Sequence, residues 1–217
     1  MTLILNRRTL IRLQRYNDGK IFSKYDCGLL YGNCKNKDII RYDINAFAAL
    51  GHLYFIKYHI AKRSIINYGE YSMVCAASYG HINIVKWLRR HLYLCCSNFA
   101  MNMASKNGYI DIVRFLHKNR QLKCHEVQND NAMNYAAENG HLNIVKFFHD
   151  INITQQYPIN CTIDAMDYAS FNGHFDVVRF LHTHRTEGCS KFALSWAKMK
   201  GHDNIVKFLQ HNYPQFA

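Results

Sequence analysis

Six glycines, Gly51, Gly80, Gly108, Gly140, Gly173 and Gly201, recur at intervals of 29, 28, 32, 33 and 28 residues. A period in the range of about 20–50 residues means one supersecondary unit copied and stacked, which constrains the fold more than composition does. Five of the glycines are followed by histidine (His52, His81, His141, His174, His202), and Gly108 is followed by Tyr109. Seven residues before the last five glycines stand Met73, Met101, Met133, Met166 and Leu194; four residues before them stand Ala76, Ala104, Ala136, Ala169 and Ala197. After the glycine, segments such as Ile84-Val85-Lys86-Trp87-Leu88 and Ile112-Val113-Arg114-Phe115-Leu116 repeat in matching register.

One copy, Asn131–Phe148, shows what the unit is. Met133, Ala136 and Ala137 fall on one face at helical spacing, and Leu142, Val145 and Phe148 make a second apolar stripe with Lys146 pointing away. Between them Gly140 offers the left-handed conformation that ends a helix. Neither helix reaches the roughly 12–15 residues that an isolated helix needs in water, so each unit must bury its stripe against the next. Small alanines at the repeated position would let neighbouring units approach closely.

With these residues the chain resembles the ankyrin-repeat family, whose hallmark is a helix-1 alanine pair, then Gly-His, then an Ile/Leu-Val helix 2. Ala136-Ala137-Glu138-Asn139-Gly140-His141-Leu142-Asn143-Ile144-Val145-Lys146-Phe147 and Thr186-Glu187-Gly188-Cys189 look especially like the divergent arrays of amoeba-infecting giant DNA viruses. The resemblance covers Asp43–Asn212. It implies an all-α solenoid of about six helix–turn–helix repeats and a divergent helical cap at the N-terminus. The usual Thr-Pro-Leu-His opening of helix 1 is replaced by sets such as Asn131-Ala132-Met133-Asn134. Ser97, Thr162 and Ser190 are available as helix caps in its place. Copies shorter than the family's period of about 33 residues lack part of the finger between repeats. Fuller connections remain at Gln121–Asp130 and Asp150–Ile163, where extra residues would project from one side.

The ends depart from the pattern. Lys198 stands where Ala77, Ser105, Ala137 and Ser170 stand elsewhere, and Asp203 replaces Leu53, Ile82, Ile110, Leu142 and Phe175. Polar residues at packing positions suit a terminal repeat whose outer side meets water. Phe47 occupies a small-residue position, so Asp43–Ile60 is a worn first repeat. Residues 1–42 carry no clear copy and are read as a separate N-terminal cap with helices around Arg7–Tyr16 and Asp38–Asp43, apart from the array at 43–217; a recruitment motif is the competing reading. Arg7, Arg8, Arg12 and Arg15 make its start basic, which suits a helix covering the end of the stack and also fits a presequence.

Chemistry is sparse. The eight cysteines form no C-x-x-C pair, and Cys96, Cys161 and Cys189 fill one slot twelve residues before a glycine. They read as reduced structural thiols, which favours the cytoplasm, or a host's cytoplasm or nucleus if the chain is viral. Thirteen histidines are spread one or two per repeat rather than gathered; His117, His149 and His182 form a ladder that could be imagined to bind metal or sense pH. No phosphate loop, nucleophile motif or carboxylate pair is present, so neither an enzyme nor a cofactor is expected. No apolar run approaches the roughly 18 residues of a membrane span.

The resemblance implies protein–protein recognition, as a scaffold or adaptor expected to be monomeric, through the concave side built from helix 1 and the hairpin fingers; a viral member could capture a host factor. Specificity should lie where repeats disagree. Two residues before the glycines this gives Ser78, Lys106, Glu138, Phe171 and Met199, with Phe171 and Met199 expected to be exposed, and Tyr157 in the longest connection as a further anchor. Tyr135 and Tyr168 are expected in the core. The alternative rests on the formal net charge of +12. Lys57, Lys86, Arg114, Lys146, Arg179 and Lys207, each six residues after its glycine, would line the outer face of the second helices. There they could attract nucleic acid or another polyanion.

Overall fold

The computed structural model describes residues 44–61, 71–92, 94, 97–119, 131–154 and 161–216, all within the unit Tyr42–Ala217. Among the described residues are twelve α-helices, arranged as six consecutive pairs. They are α1 (Ile44–Ala49) with α2 (Leu53–Ala61), α3 (Tyr71–Ser78) with α4 (Ile82–His91), and α5 (Asn98–Lys106) with α6 (Ile110–Lys118). Then come α7 (Ala132–Glu138) with α8 (Leu142–Thr154), α9 (Ile163–Phe171) with α10 (Phe175–His184), and α11 (Lys191–Lys200) with α12 (Asp203–Asn212). A single 3-10 turn, Pro214–Phe216, follows. The helical cap expected in residues 1–42, the connection Gln121–Asp130 and Tyr157 lie outside the described residues. The other long connection is shorter than expected, because α8 runs on through Thr154.

Every pair turns in the same way. Gly140 takes φ +73°, its N–H bonds the Ala137 carbonyl at 3.1 Å, and the His141 N–H reaches back to Ala136 at 2.8 Å. These two bonds satisfy carbonyls that the end of a helix would leave orphaned. Gly201 repeats the geometry at φ +74°, with His202 bonded to Ala197 at 2.9 Å. The helix starts are also sequence-encoded. Ser97, Thr162 and Ser190 accept from the backbone N–H of Ala100, Asp164 and Phe192 respectively.

First helices pack on first helices and second on second, and the first-helix row is the closer one. Its alanines explain that: Ala76, Ala104, Ala136, Ala169 and Ala197 are all fully buried, and so, three residues earlier, are the larger Met73, Met101, Met133, Met166 and Leu194. Burying one such side chain contributes about 1.5–3 kcal/mol. In the second row Ile84, Ile112, Ile144, Val177 and Ile205 are buried with Leu88, Leu116, Phe148, Leu181 and Leu209. Leu142, expected on that stripe, is only half-buried.

A polar bond also ties successive helix starts. Asn134 donates to Thr162 Oγ1 at 2.9 Å and accepts from the Thr162 N–H at 3.2 Å. One repeat on, Asp167 accepts from both the N–H and the hydroxyl of Ser190. Burial raises the Asp167 carboxyl above the usual range, although the bonds to Ser190 oppose the shift.

The cysteines correct one expectation. Cys75 is disulfide-bonded, so the set is not wholly reduced. Cys161 and Cys189 are free and half-buried rather than buried; burial pushes their thiols up to about 11 and about 12, which leaves them protonated and weakly nucleophilic.

Candidate protein-interaction face

The Gly-His motif is a joint between repeats. A Cβ built on Gly51, Gly108, Gly140 or Gly173 would stand 2.5–2.8 Å from the imidazole of His81, His141, His174 or His202 in the next repeat. The aromatic ring of Tyr109 takes the same place on Gly80. Each glycine therefore serves both its own turn and its neighbour's ring. The ring then bonds a backbone carbonyl: His81 Nε2 to Ala49 at 2.9 Å, His141 Nε2 to Lys106 at 3.0 Å, His202 Nε2 to Phe171 at 3.1 Å. A carbonyl only accepts, so Nε2 carries the proton. Asn107 and Asn172 add side-chain bonds to the carbonyls of Ser78 (3.0 Å) and Glu138 (2.8 Å). Burial pulls His174 below the ordinary imidazole value, opposed in part by Asp176 and the Glu138 carbonyl.

That joint explains the variable strip. Ser78, Lys106, Glu138 and Phe171 supply their carbonyls to the next repeat, so the joint uses their backbone and does not dictate which side chain each carries; the Ser78 hydroxyl donates within its own helix, to the Val74 carbonyl at 2.8 Å. Lys106 is exposed, Ser78 and Glu138 are half-buried, and Met199 is 67% exposed. Phe171 departs from expectation. It is half-buried, with the Lys200 ammonium 4.5 Å above its ring and Trp196 edge-on at 5.7 Å.

A second line beside the strip was missed. Tyr168 is 42% exposed rather than core, and it stacks on Trp196 with centroids 5.7 Å apart. Phe192, 49% exposed, stacks on the same indole at 5.4 Å. Tyr135, at the matching position one repeat earlier, is half-buried, with the Lys106 ammonium 6.0 Å from its ring. Positions nine, five and two before the glycine (Phe192, Trp196, Met199) follow i, i+4, i+7 spacing and so share one helix face. Tyr71 and Phe99, both exposed, hold the first of these positions in earlier repeats. The sequence signal was an aromatic five residues before three successive glycines, at Tyr135, Tyr168 and Trp196.

The second-helix side differs in kind. Lys57, Lys86, Arg114, Lys146, Arg179 and Lys207 are all exposed, as the register requires. Three of them rest over rings: Arg114 over Phe147 at 5.6 Å, Lys146 over Phe180 at 5.8 Å, Arg179 over Phe175 at 5.9 Å. His117, His149 and His182 set their rings edge-on to Phe147, Phe180 and Phe208 of the following repeats, at 5.9, 5.5 and 5.2 Å. The histidine ladder is thus a packing device. Among the described residues no cluster of three or more His, Cys, Asp or Glu could hold a metal ion, and no helix is long and apolar enough to cross a membrane.

Paired helices stacked through a shared glycine joint define an α-solenoid. The family model for ankyrin repeats (3 copies) matches residues 73–157, 100–191 and 133–216 in overlapping placements, and the chain belongs to that family. A search for relatives among curated proteins returns no match. Ankyrin repeats are in general protein–protein interaction modules.

Proposed function

We propose that this array is a non-catalytic protein-recognition scaffold that engages its partner through the first-helix face. The proposed contact line is Ser78, Lys106, Glu138, Phe171 and Met199, with Tyr168, Phe192 and Trp196 beside it. The observation that carries this reading is the joint itself: backbone carbonyls at Ser78, Lys106, Glu138 and Phe171 hold the repeats together, so side-chain identity along this strip can vary without breaking the stack. A stack already ordered in the free state loses little conformational freedom on binding, which favours affinity. The polyanion alternative, through Lys86, Arg114, Lys146, Arg179 and Lys207, is the less supported, because two of these cations, Arg114 and Lys146, already lie over rings of the following repeat.

Affinity capture from cell lysate, with nuclease and at rising salt, separates the two. Met199→Ser with Phe192→Ser should abolish retention of a specific protein, while charge reversal at Lys86, Arg114, Lys146 and Arg179 should leave it. The opposite pattern, with retention lost on nuclease treatment, would overturn the first-helix assignment.

A further inference from the structure

The last two repeats narrow what kind of partner fits, and this inference rests on the interaction reading above. Helix α11 carries Lys191, Lys198 and Lys200 with no acidic residue, around the apolar side chains of Phe192, Trp196 and Met199. Lys191 lies 5.8 Å from the Phe192 ring and Lys200 4.5 Å from the Phe171 ring, so two ammonium groups flank one aromatic cluster. A carboxylate stands in the same register on α9, Asp164, but it accepts from the Thr162 hydroxyl at 3.1 Å. A ring attracts cations at its face and presents a positive edge. Tyr168 and Phe192 each stack one face on Trp196, and the cluster offers a ligand partly exposed rings, a thioether and ammonium groups.

We propose that this cluster binds an acidic peptide segment bearing a bulky apolar side chain. The apolar residue seats against Met199 and the edges of Trp196 and Phe192, and carboxylates of the same segment pair with Lys191 and Lys200. Single-stranded nucleic acid, which would stack bases on the outer rings, is the competing ligand that an oligothymidine probe separates. A second copy of the chain is opposed by a net charge of +12 on each molecule.

The test is selection of a random peptide library on the full chain, followed by affinity measurement of the synthetic winners. Winners should be enriched in Asp and Glu around a Trp, Phe or Leu. Their affinity should fall about tenfold or more in Lys191→Ala/Lys200→Ala and in Met199→Ser. It should also weaken as salt rises, while thermal unfolding of the variants stays as in the wild type. Winners without acidic enrichment, no enrichment at all, or winners indifferent to these substitutions would overturn the proposal. So would an oligothymidine probe that binds more tightly than the peptides and is lost in the same variants. Lysate capture that remains sensitive to Met199→Ser while acidic peptides fail would reject the partner chemistry and leave the first-helix reading intact.

Discussion

The fourth and sixth helix pairs carry the same motif and put it to different use. Gly140 and Gly201 both hold a positive φ, but His174 crowds the first while nothing lies within 4 Å of a Cβ built on the second. Ala137 is buried, whereas its counterpart Lys198 is exposed; half-buried Leu142 corresponds to exposed Asp203. Val145 is fully buried, and its equivalent Val206 is only half-buried. The motif therefore records two demands, one from the unit's own turn and one from its neighbour, and in the sixth pair only the first is in force.

The largest effect should come from moving a terminal residue inward. Ser105 is fully buried at the position of Lys198, so Ser105→Lys strands a charge between repeats and should cost about 3–5 kcal/mol in a urea titration. Lys198→Ala should change stability by less than about 0.5 kcal/mol. If the two substitutions cost the same, the end repeat is no cap.

The glycines give the next contrast. Gly201→Ala meets only the conformational penalty of a left-handed residue, about 1–2 kcal/mol. Gly140→Ala adds a Cβ 2.5 Å from His174 Nδ1, and should cost about 3 kcal/mol or more. Equal losses would show that the His-on-Gly contact yields freely.

Acidification sharpens the comparison at the smallest scale. Burial lowers the pKa of His174 and His52 in the folded chain. The unfolded chain then takes up protons first, so stability is full above about pH 6.5 and falls as pH drops below it toward the folded values. His174→Gln keeps a donor for the Glu138 carbonyl and cannot titrate, so its melting temperature should fall less between about pH 7.5 and about pH 5.5. A parallel decline in both proteins would remove His174 as a source.

What the sequence made legible followed from register. The buried methionines and alanines, the turn glycines and the caps Ser97, Thr162 and Ser190 all sit at fixed offsets, and each offset answers a local requirement of one unit. Tyr168 was misplaced because recurrence alone does not separate a residue repeated for packing from one repeated on a shared surface. Its helical angle, between Ala169 and the buried Asp167, held the distinction. Phe171 looked free because Lys200, which covers it, belongs to the next repeat. The bond at Cys75 was hidden for another reason: disulfide pairing depends on distance in space, which spacing along a chain does not encode.

The joint between repeats also bears on how such an array grows. Each internal unit offers a carbonyl and a bare Cα on one side and a ring on the other, so every boundary is made from interchangeable halves. A tandem duplication of any internal copy would therefore bring its own matching connectors and lengthen the stack without altering either neighbour. Tyr109 on Gly80 shows that the ring can change identity and still seat. Copy number is then free to drift under selection, while the side chains at the recognition positions diversify independently of it.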